Sequence, residues 1–378
     1  MSAPDLAEKI RRRICSEGPL SLAAFMAMAL HDPESGYYAR RDPIGRAGDF
    51  ITAPEISQIF GELIGLCCAD WWQRSGRPDP VVLAEFGPGR GVLMQDFLRA
   101  TATVPEFRDA LRLHLVETSP LLRAEQQRRL AAAEPRFAKS SDELPPGPLI
   151  LVANEFLDAL PIRQLVRGEA EWAERMVALD QEGRFAFVKG PDSPALTMLV
   201  PLSLRALPPG SVIEICPAAA ALAASLGERL ADMPGLALVI DYGYFRRVPG
   251  PTLAAIRDHR PADLFDSPGS ADLSAHVDFA AFAAAAEASG AVVHGPVPQG
   301  RFLRALGAEA RLAALSAQAN PEQHTTLERG LRRLIDPAEM GNLFKVLALT
   351  SPGLPAPAGF AQGSSPAAIT DDHTQRAR

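Results

Sequence analysis

Acidic residues and glycines stand at the points where apolar, strand-like runs of this chain end. The run at residues 81–84 is followed by Glu85 and then by three glycines, Gly87, Gly89 and Gly91, before a helical pattern begins. A strand that turns through glycines into a helix presents backbone N–H groups and a positive helix end to a ligand. Glycine is used there because side chains would block close approach of the backbone. The stretch therefore predicts a ligand site.

The spacing of these residues narrows the choice of ligand. A dinucleotide loop has the pattern G-x-G-x-x-G, but here the third glycine comes one residue early, at Gly91. The next apolar run, residues 111–116, ends in Glu117, which can accept both hydroxyl groups of a ribose. Glu117 lies thirty residues after Gly87, further than the roughly 20 of a dinucleotide site. The pattern thus disfavours a nicotinamide-dependent dehydrogenase, and Glu117 as a helix cap stays the structural alternative.

Further polar residues follow two later apolar runs. Asn154, Glu155 and Asp158 come after residues 149–153, and Asp241 follows another such run. In a doubly wound sheet the carboxyl ends of the strands form the ligand crevice. We therefore expect these side chains to share the site. The structural alternatives are that Asn154 caps a helix and that Asp158 lies on the surface.

Several other positions carry a weaker signal. Asp49 stands in a polar, glycine-flanked loop before a helix predicted from Pro54, and such loops are often functional. Residues 140–142 stand where adenine is contacted in doubly wound folds that bind nucleotides. His276 and Asp278 are further candidates, although a single histidine near a helix start is more often structural.

The glycine pattern E-x-G-x-G-x-G followed by a strand-ending glutamate resembles the class I methyltransferases that bind S-adenosylmethionine. This resemblance implies that Glu117 holds the ribose and that Glu85 helps to hold the ammonium of the methionine part. It also implies that Gly87, Gly89 and Gly91 face that methionine part. The cofactor expected is S-adenosyl-L-methionine.

Four longer motifs make the resemblance more specific. They are H-D-P-E-S-G-Y-Y, G-D-F-I-T-A-P-E-I-S-Q-I-F-G-E, L-A-E-F-G-P-G-R-G and A-N-E-F-L-D-A-L-P. Together they resemble the MidA family of S-adenosylmethionine-dependent methyltransferases, over about residues 5–349. That family is related to the mitochondrial factor that methylates an arginine of a respiratory complex I subunit during assembly. The resemblance implies a protein substrate, with a complex I subunit as one candidate.

Methyl transfer to arginine makes particular demands on side chains. The acceptor nitrogen must be aligned with the carbon–sulfur bond of the cofactor. A guanidinium is always charged, so carboxylates must orient it and help its proton leave. We therefore predict Glu155 as the catalytic clamp, with Asp49 and Asp158 behind it, and we assign Asn154 to the cofactor. An assembly chaperone with little catalysis and a small-molecule methyltransferase stay as alternatives.

The elements that must position these residues predict an α/β fold. We expect a doubly wound, Rossmann-like class I methyltransferase sheet within residues 81–350. Residues 1–80 are expected to form a helical segment on the cleft, and residues 162–232 a β-rich insertion near the substrate. A helical region is expected at about 253–340. From residue 351 onward, Pro, Ala, Gly and Ser predominate, which predicts a disordered tail.

Composition bounds the possible functions. The chain has 378 residues, of which 47% are hydrophobic, and its net charge is −7. That is ample for a large core, and an acidic balance without a dominant basic run argues against nucleic-acid binding. The four cysteines show neither a disulfide framework nor metal-ligand spacing. We expect no metal, no membrane span and a cytoplasmic location, and the oligomeric state is left open.

Overall fold

Sixteen strands and fifteen helices make up the described part of the chain. The computed structural model describes residues 5–40, 51–246 and 249–360. The strands are β1 Leu20–Ser21, β2 Val81–Phe86, β3 Leu111–Val116, β4 Arg136–Ala138, β5 Leu149–Asn154, β6 Arg163–Arg167, β7 Trp172–Leu179, β8 Phe185–Asp192, β9 Val212–Ile215, β10 Gly235–Tyr244, β11 Ala254–Arg257, β12 Arg260–Pro261, β13 Asp272–Ser274, β14 Val277–Asp278, β15 Val292–Pro298 and β16 Phe344–Thr350. The helices are α1 Leu6–Glu17, α2 Leu22–His31, α3 Tyr37–Arg40, α4 Ala53–Ile56, α5 Gln58–Arg74, α6 Val92–Ala100, α7 Pro105–Ala110, α8 Pro120–Arg129, α9 Pro194–Leu199, α10 Pro217–Asp232, α11 Phe279–Ala288, α12 Gln299–Ala305, α13 Ala308–Ser316, α14 Pro321–Ile335 and α15 Met340–Leu343.

The central sheet has the strand order β15-β16-β10-β5-β2-β3-β4, with the short β14 beside β10. Strands β10, β5, β2, β3 and β4 are parallel, and β16 runs antiparallel to both of its neighbours. Strands β2, β5 and β16 are buried along their whole length, as expected of strands covered on both faces. The predicted α/β fold with a doubly wound sheet is confirmed.

Helices cover this sheet on both sides. On one side α5 and α6 pack through large apolar side chains such as Phe60, Trp71 and Phe97. On the other side α10 and α11 pack through residues such as Leu226 and Phe282. This arrangement leaves the carboxyl ends of the parallel strands as the open edge where loops can form a site.

A second, antiparallel sheet follows β5 in the chain. Its order is β1-β7-β6-β9, with β8 beside β7. Residues 163–192 thus form a three-stranded meander within the stretch that we predicted as an insertion. The N-terminal helices α1 and α2 pack on this sheet through Leu6 and Phe25, which lie in one apolar cluster with Val177 and Phe185.

Three details differ from the sequence-based expectation. The region at about 253–340 is not helical throughout, because strands β11 to β15 lie within residues 254–298. Residues 5–80 do not act as one segment, because α1 and α2 pack on the second sheet whereas α5 belongs to the core of the central sheet. The tail is not disordered from residue 351: Trp71 Nε1 donates to the Pro355 carbonyl at 3.0 Å, and Phe360 is buried near Phe302. Proline removes backbone donors but keeps its carbonyl, so a proline-rich strand end can still be held in place. Residues 361–378 lie outside the described ranges.

Candidate active site

A cavity of about 580 Å³ opens at the carboxyl ends of β2, β3 and β5. Its lining includes the loop after β2, Glu117 after β3, and Asn154 with Glu155 after β5. The structure therefore brings together side chains that the sequence places up to seventy residues apart, from Glu85 to Glu155. Most of the predicted site residues meet here.

The glycine loop has a backbone that other residues adopt with difficulty. Gly87, Gly89 and Gly91 have φ angles of +59°, +51° and +78°, all in the left-handed region. A Cβ added at Gly87 would stand 3.0 Å from the ring of Phe156. The turn feeds directly into α6, which begins at Val92, so the start of this helix lines the cavity beside Gly87 and Gly89. Gly91 is absent from the described lining, and a Cβ added there would point at Leu130 and Gln126.

Glu117 is held in place by its own chain neighbours. Its Oε1 accepts from the N–H groups of Thr118 and Ser119 at 2.8 and 2.7 Å, and its Oε2 accepts from Gln126 Nε2 at 3.3 Å. Burial raises the pKa of this carboxyl, against the opposing effect of these donors. The same Gln126 amide donates to the Gly89 carbonyl at 2.7 Å, which ties the glutamate to the glycine loop.

Among the predicted acids that line the cavity, Glu85 is the most deeply buried. Its side chain is 3% exposed, and its Oε2 has no hydrogen-bond partner within the described ranges. Burial raises the pKa of this carboxyl to about 8. An isolated buried carboxyl oxygen that faces a cavity is suited to a cationic ligand, whose charge would offset the cost of its desolvation.

Glu155 lies at the base of the cavity in a strained backbone conformation. Its φ angle is +50°, and its N–H donates to the Ile240 carbonyl at 2.9 Å. Its Oε1 accepts from the Ala53 N–H at 3.0 Å and from Asn154 Nδ2 at 3.3 Å. Burial, followed by the charge of Asp158, raises the pKa of Glu155 to about 8. This carboxyl is thus poised to exchange a proton near neutral pH.

Asp158 and Asp241 lie behind this loop. Asp241 is fully buried, and its Oδ2 accepts from the N–H groups of Leu157 and Asp158 at 2.9 and 3.2 Å. Asp158 Oδ2 accepts from the Tyr242 hydroxyl at 2.7 Å. Asp158 is absent from the cavity lining of the described residues, so its position favours support of the loop over contact with a ligand.

The N-terminal segment supplies a wall of the cavity that sequence reasoning largely missed. Tyr38 stacks on His31 with ring centres 5.5 Å apart, and its hydroxyl donates to Asp272 Oδ1 at 3.1 Å. Both rings line the cavity, as does Glu55 on α4. Tyr37, by contrast, is fully buried in the apolar cluster that contains Phe25. The motif H-D-P-E-S-G-Y-Y was the available signal.

The remaining candidates fall in different places. Ser140 and Ser141 line the cavity. His276 lies elsewhere, with its ring edge against Tyr242, and Asp278 caps α11 by accepting from the Ala281 N–H at 3.0 Å. Asp49 lies outside the described residues.

The described residues contain neither a metal-binding cluster nor a membrane-spanning helix. Within residues 5–40, 51–246 and 249–360, no cluster of His, Cys, Asp or Glu has the arrangement of a metal site. No helix in the same ranges combines the length and apolar character needed to cross a membrane.

Comparisons with known proteins place this fold and cavity in a family. Residues 63–297 match the model of a family of S-adenosyl-L-methionine-dependent methyltransferases, Methyltransf_28. "Protein arginine methyltransferase NDUFAF7 homolog, mitochondrial" of Drosophila melanogaster is 36% identical over 376 residues, which cover 91% of this chain and 84% of the relative. This chain belongs to the MidA family of S-adenosylmethionine-dependent methyltransferases.

Two further proteins are similar to this chain over most of their length. Human "Protein arginine methyltransferase NDUFAF7, mitochondrial" is 33% identical over 365 residues, covering 89% of this chain and 81% of the relative. A crystal structure of a methyl transferase superfamily member from Burkholderia thailandensis, bound to S-adenosyl-homocysteine, matches with a TM-score of 0.80. It is 30% identical, and the match covers 94% of this chain and 93% of that chain.

The cavity fits the cofactor of the MidA family. Glu85 Oε2, which has no hydrogen-bond partner among the described residues, suits an ammonium, and Gly87 and Gly89 line the same cavity without a side chain. Glu117 lies at the tip of the strand next to β2, and its carboxylate already accepts three donors in a fixed orientation. These residues therefore fit S-adenosylmethionine, which the family uses as its methyl donor.

Proposed function

We propose that this methyltransferase methylates an arginine side chain of a partner protein, and that a respiratory complex I subunit is the first candidate substrate. The observation that carries the proposal is the Glu155 carboxyl at the base of the cavity that also holds the glycine loop. The relatives named as protein arginine methyltransferases support the choice of acceptor.

Glu155 has the properties that methylation of a guanidinium requires. Its Oε1 is already fixed by Ala53 and Asn154, so its orientation is set before a substrate arrives. A guanidinium that binds beside it favours the ionised carboxylate, which opposes the effect of burial on its pKa. The ionised carboxylate can then orient one nitrogen of the guanidinium and accept its proton.

The atoms and electrons of the transfer balance with the cofactor, the acceptor arginine and Glu155. When bound, S-adenosylmethionine supplies an electrophilic methyl group on its sulfonium sulfur. One carbon–sulfur bond breaks, its electron pair stays on sulfur, and one carbon–nitrogen bond forms at the arginine. The proton displaced from that nitrogen passes to Glu155, and Asn154 keeps the carboxyl in place.

The supporting network explains why Glu155 can hold its strained position. Asp241 binds the two N–H groups that follow Phe156, and Tyr242 binds Asp158. We propose on this basis that Asp158 positions the loop, and that Glu155 is the catalytic carboxylate. A role for Asp49 stays a prediction. The cytoplasmic location also stays a prediction; the four cysteines, all free thiols, fit a reducing compartment.

The proposal is tested by methyl transfer from labelled S-adenosylmethionine to complex I purified from cells that lack this protein. We expect methylarginine by mass spectrometry with the wild type and a loss of at least about 100-fold in kcat with Glu155→Gln, since the variant cannot accept the proton. Binding of S-adenosylhomocysteine should be unchanged. Glu106→Gln, an exposed change on α7, is the matched control.

Two results would count against this proposal. Methylation at full rate by Glu155→Gln would remove Glu155 from the reaction. Absence of any methylarginine with the wild type, although the cofactor binds, would favour the chaperone or small-molecule alternatives.

A further inference from the structure

We infer that Glu55 is a second carboxylate of the acceptor site, so that the substrate guanidinium lies between Glu55 on α4 and Glu155 after β5. The inference rests on the proposed function, because it concerns the same reaction. It adds a substrate-contacting residue that comes from the N-terminal segment, far from Glu155 in the chain.

The geometry links the two carboxylates through the short helix α4. The first residue of α4, Ala53, donates its N–H to Glu155 Oε1 at 3.0 Å. Glu55 is two residues further along, so its Cα lies within about 7.6 Å of the Ala53 Cα. Both Glu55 and Glu155 line the same cavity. Both carboxyl groups therefore belong to one cavity, at the place where α4 meets the residues that follow β5.

Two acceptor atoms of residues that line this space are buried without a hydrogen-bond partner among the described residues. They are Glu55 Oε1 and Oδ1 of Asn154, a residue that is 7% exposed. Leaving a buried acceptor unsatisfied costs about 1–3 kcal/mol. A ligand that brings several N–H donors would satisfy these atoms together.

A guanidinium suits this arrangement better than an ammonium. It carries five N–H donors in one plane, whereas a lysine side chain carries three on a single nitrogen. Carboxylates on two sides can each take donors from opposite edges of that plane. The stacked pair of Tyr38 and His31 adds a flat wall to the same cavity, against which a planar cation can lie.

A purely structural role for Glu55 would run through Arg90. Arg90 Nη1 is 4.0 Å from Glu55 Oε1, which is beyond hydrogen-bond distance. Arg90 Nε lies closer to Glu125, donating to its Oε1 at 3.2 Å. If Glu55 served only to hold Arg90, removal of Glu125 should be at least as damaging as removal of Glu55.

The test compares Glu55→Gln with Glu125→Gln. Both variants replace a carboxylate near Arg90 by an amide of equal size, but Glu125 is absent from the described cavity lining. For arginine methylation of complex I, we expect kcat/KM to fall about 30-fold or more in Glu55→Gln, as for loss of a charge-assisted contact. We expect a change of less than threefold in Glu125→Gln. Calorimetry should give the same affinity for S-adenosylhomocysteine within twofold in both variants.

A folding control and a double variant complete the test. Melting temperatures of Glu55→Gln and the wild type should agree within about 3 °C, because the ion pair of Glu55 with Arg90 is long, at 4.0 Å, and such pairs contribute little to stability. If both carboxylates hold one guanidinium, the loss in the double variant with Glu155→Gln should be smaller than the product of the two single losses.

Three outcomes would overturn the inference. They are an unchanged kcat/KM in Glu55→Gln, an equal loss in Glu125→Gln, and a loss of cofactor affinity as large as the loss of activity. Failure of the proposed function is distinguishable from these, because in that case the wild type itself makes no methylarginine.

Discussion

The two halves of the cavity are built in different ways. The half that we propose for the cofactor consists of Glu85, the glycine loop and Glu117, and it is held by neighbouring residues: Glu117 accepts hydrogen bonds from the N–H groups of Thr118 and Ser119. The half that we propose for the acceptor consists of Tyr38, Glu55 and Glu155, and it depends on contacts between distant elements. Ala53 and Glu155 are 102 residues apart in the chain, and the partner of Tyr38, Asp272, is 234 residues away.

The two halves have different tasks, because one binds the cofactor and the other recognises the acceptor side chain. The glycine turn follows β2 and Glu117 follows the neighbouring strand β3, so the cofactor half can be built from two neighbouring βα units. Recognition of a protein side chain requires surfaces that come from the N-terminal helices as well as from the sheet. We therefore expect changes in the cofactor half to abolish binding, and changes in the acceptor half to alter catalysis at constant cofactor affinity.

The largest effect is expected for Gly89→Val. The φ of +51° at this position is strongly disfavoured for a β-branched residue, and the side chain would project at the loop that must approach the cofactor. We expect the affinity for S-adenosylhomocysteine, measured by calorimetry, to fall at least 100-fold.

Gly76→Val is the matched control for Gly89→Val. Gly76 also has a positive φ, +86°, but it has open space around it and does not line the cavity. Gly76→Val should lower the free energy of unfolding and leave cofactor affinity unchanged. Equal losses of affinity in both variants would mean that backbone strain alone, and not the loop, explains the result.

The next effect concerns Glu85 and the dependence of stability on pH. The pKa of Glu85 is raised to about 8 in the folded protein, whereas in the unfolded chain it lies near its usual 4.5. Between these values the folded state binds the extra proton, so its stability decreases as pH rises, by up to about 1.4 kcal/mol per pH unit. From pH 5.5 to 8 the carboxyl should therefore remove on the order of 3 kcal/mol from the free energy of unfolding.

Urea unfolding at several pH values measures this contribution. Glu85→Gln should flatten the decrease, because the amide does not titrate, and it should also weaken cofactor binding. The exposed change Glu106→Gln should leave the pH slope as it is. A slope that is identical in Glu85→Gln and the wild type would show that Glu85 is ionised in the folded protein across this range.

The cofactor half and the sheet could be predicted from the sequence for one physical reason. Apolar runs, glycine turns and strand-ending acids are local patterns, so Glu85, the glycine loop and Glu117 could be placed from residues within one or two elements. The fold followed from the same alternation of strands and helices, and the long motifs made the family recognisable.

Apart from Glu155, which follows a predicted strand, the acceptor half was harder to predict because no local pattern marks Tyr38 or Glu55. Glu55 looks like an ordinary acid in the first turn of a helix, and its proximity to Glu155 depends on how α4 docks on the end of β5. Asp158 was proposed at the cleft because it lies three residues after Glu155, but the turn directs it to Tyr242. The ordered residues 351–360 were missed because composition says nothing about the carbonyl acceptors that α5 needs for Trp71 and Arg74.

The smallest effect is expected for Tyr38→Phe, which tests whether the aromatic wall belongs to the acceptor half. Burial raises the pKa of the Tyr38 phenol, so its hydroxyl remains a donor to Asp272 at neutral pH. Removal of that hydroxyl should cost about 1 kcal/mol of stability and, because the ring is held less firmly against His31, lower kcat/KM about fivefold. Tyr38→Leu, which also removes the flat face, should lower kcat/KM further. Cofactor affinity should stay constant in both variants; if it fell in step with activity, Tyr38 would belong to the cofactor half, and the division of the cavity into two halves would have to be redrawn.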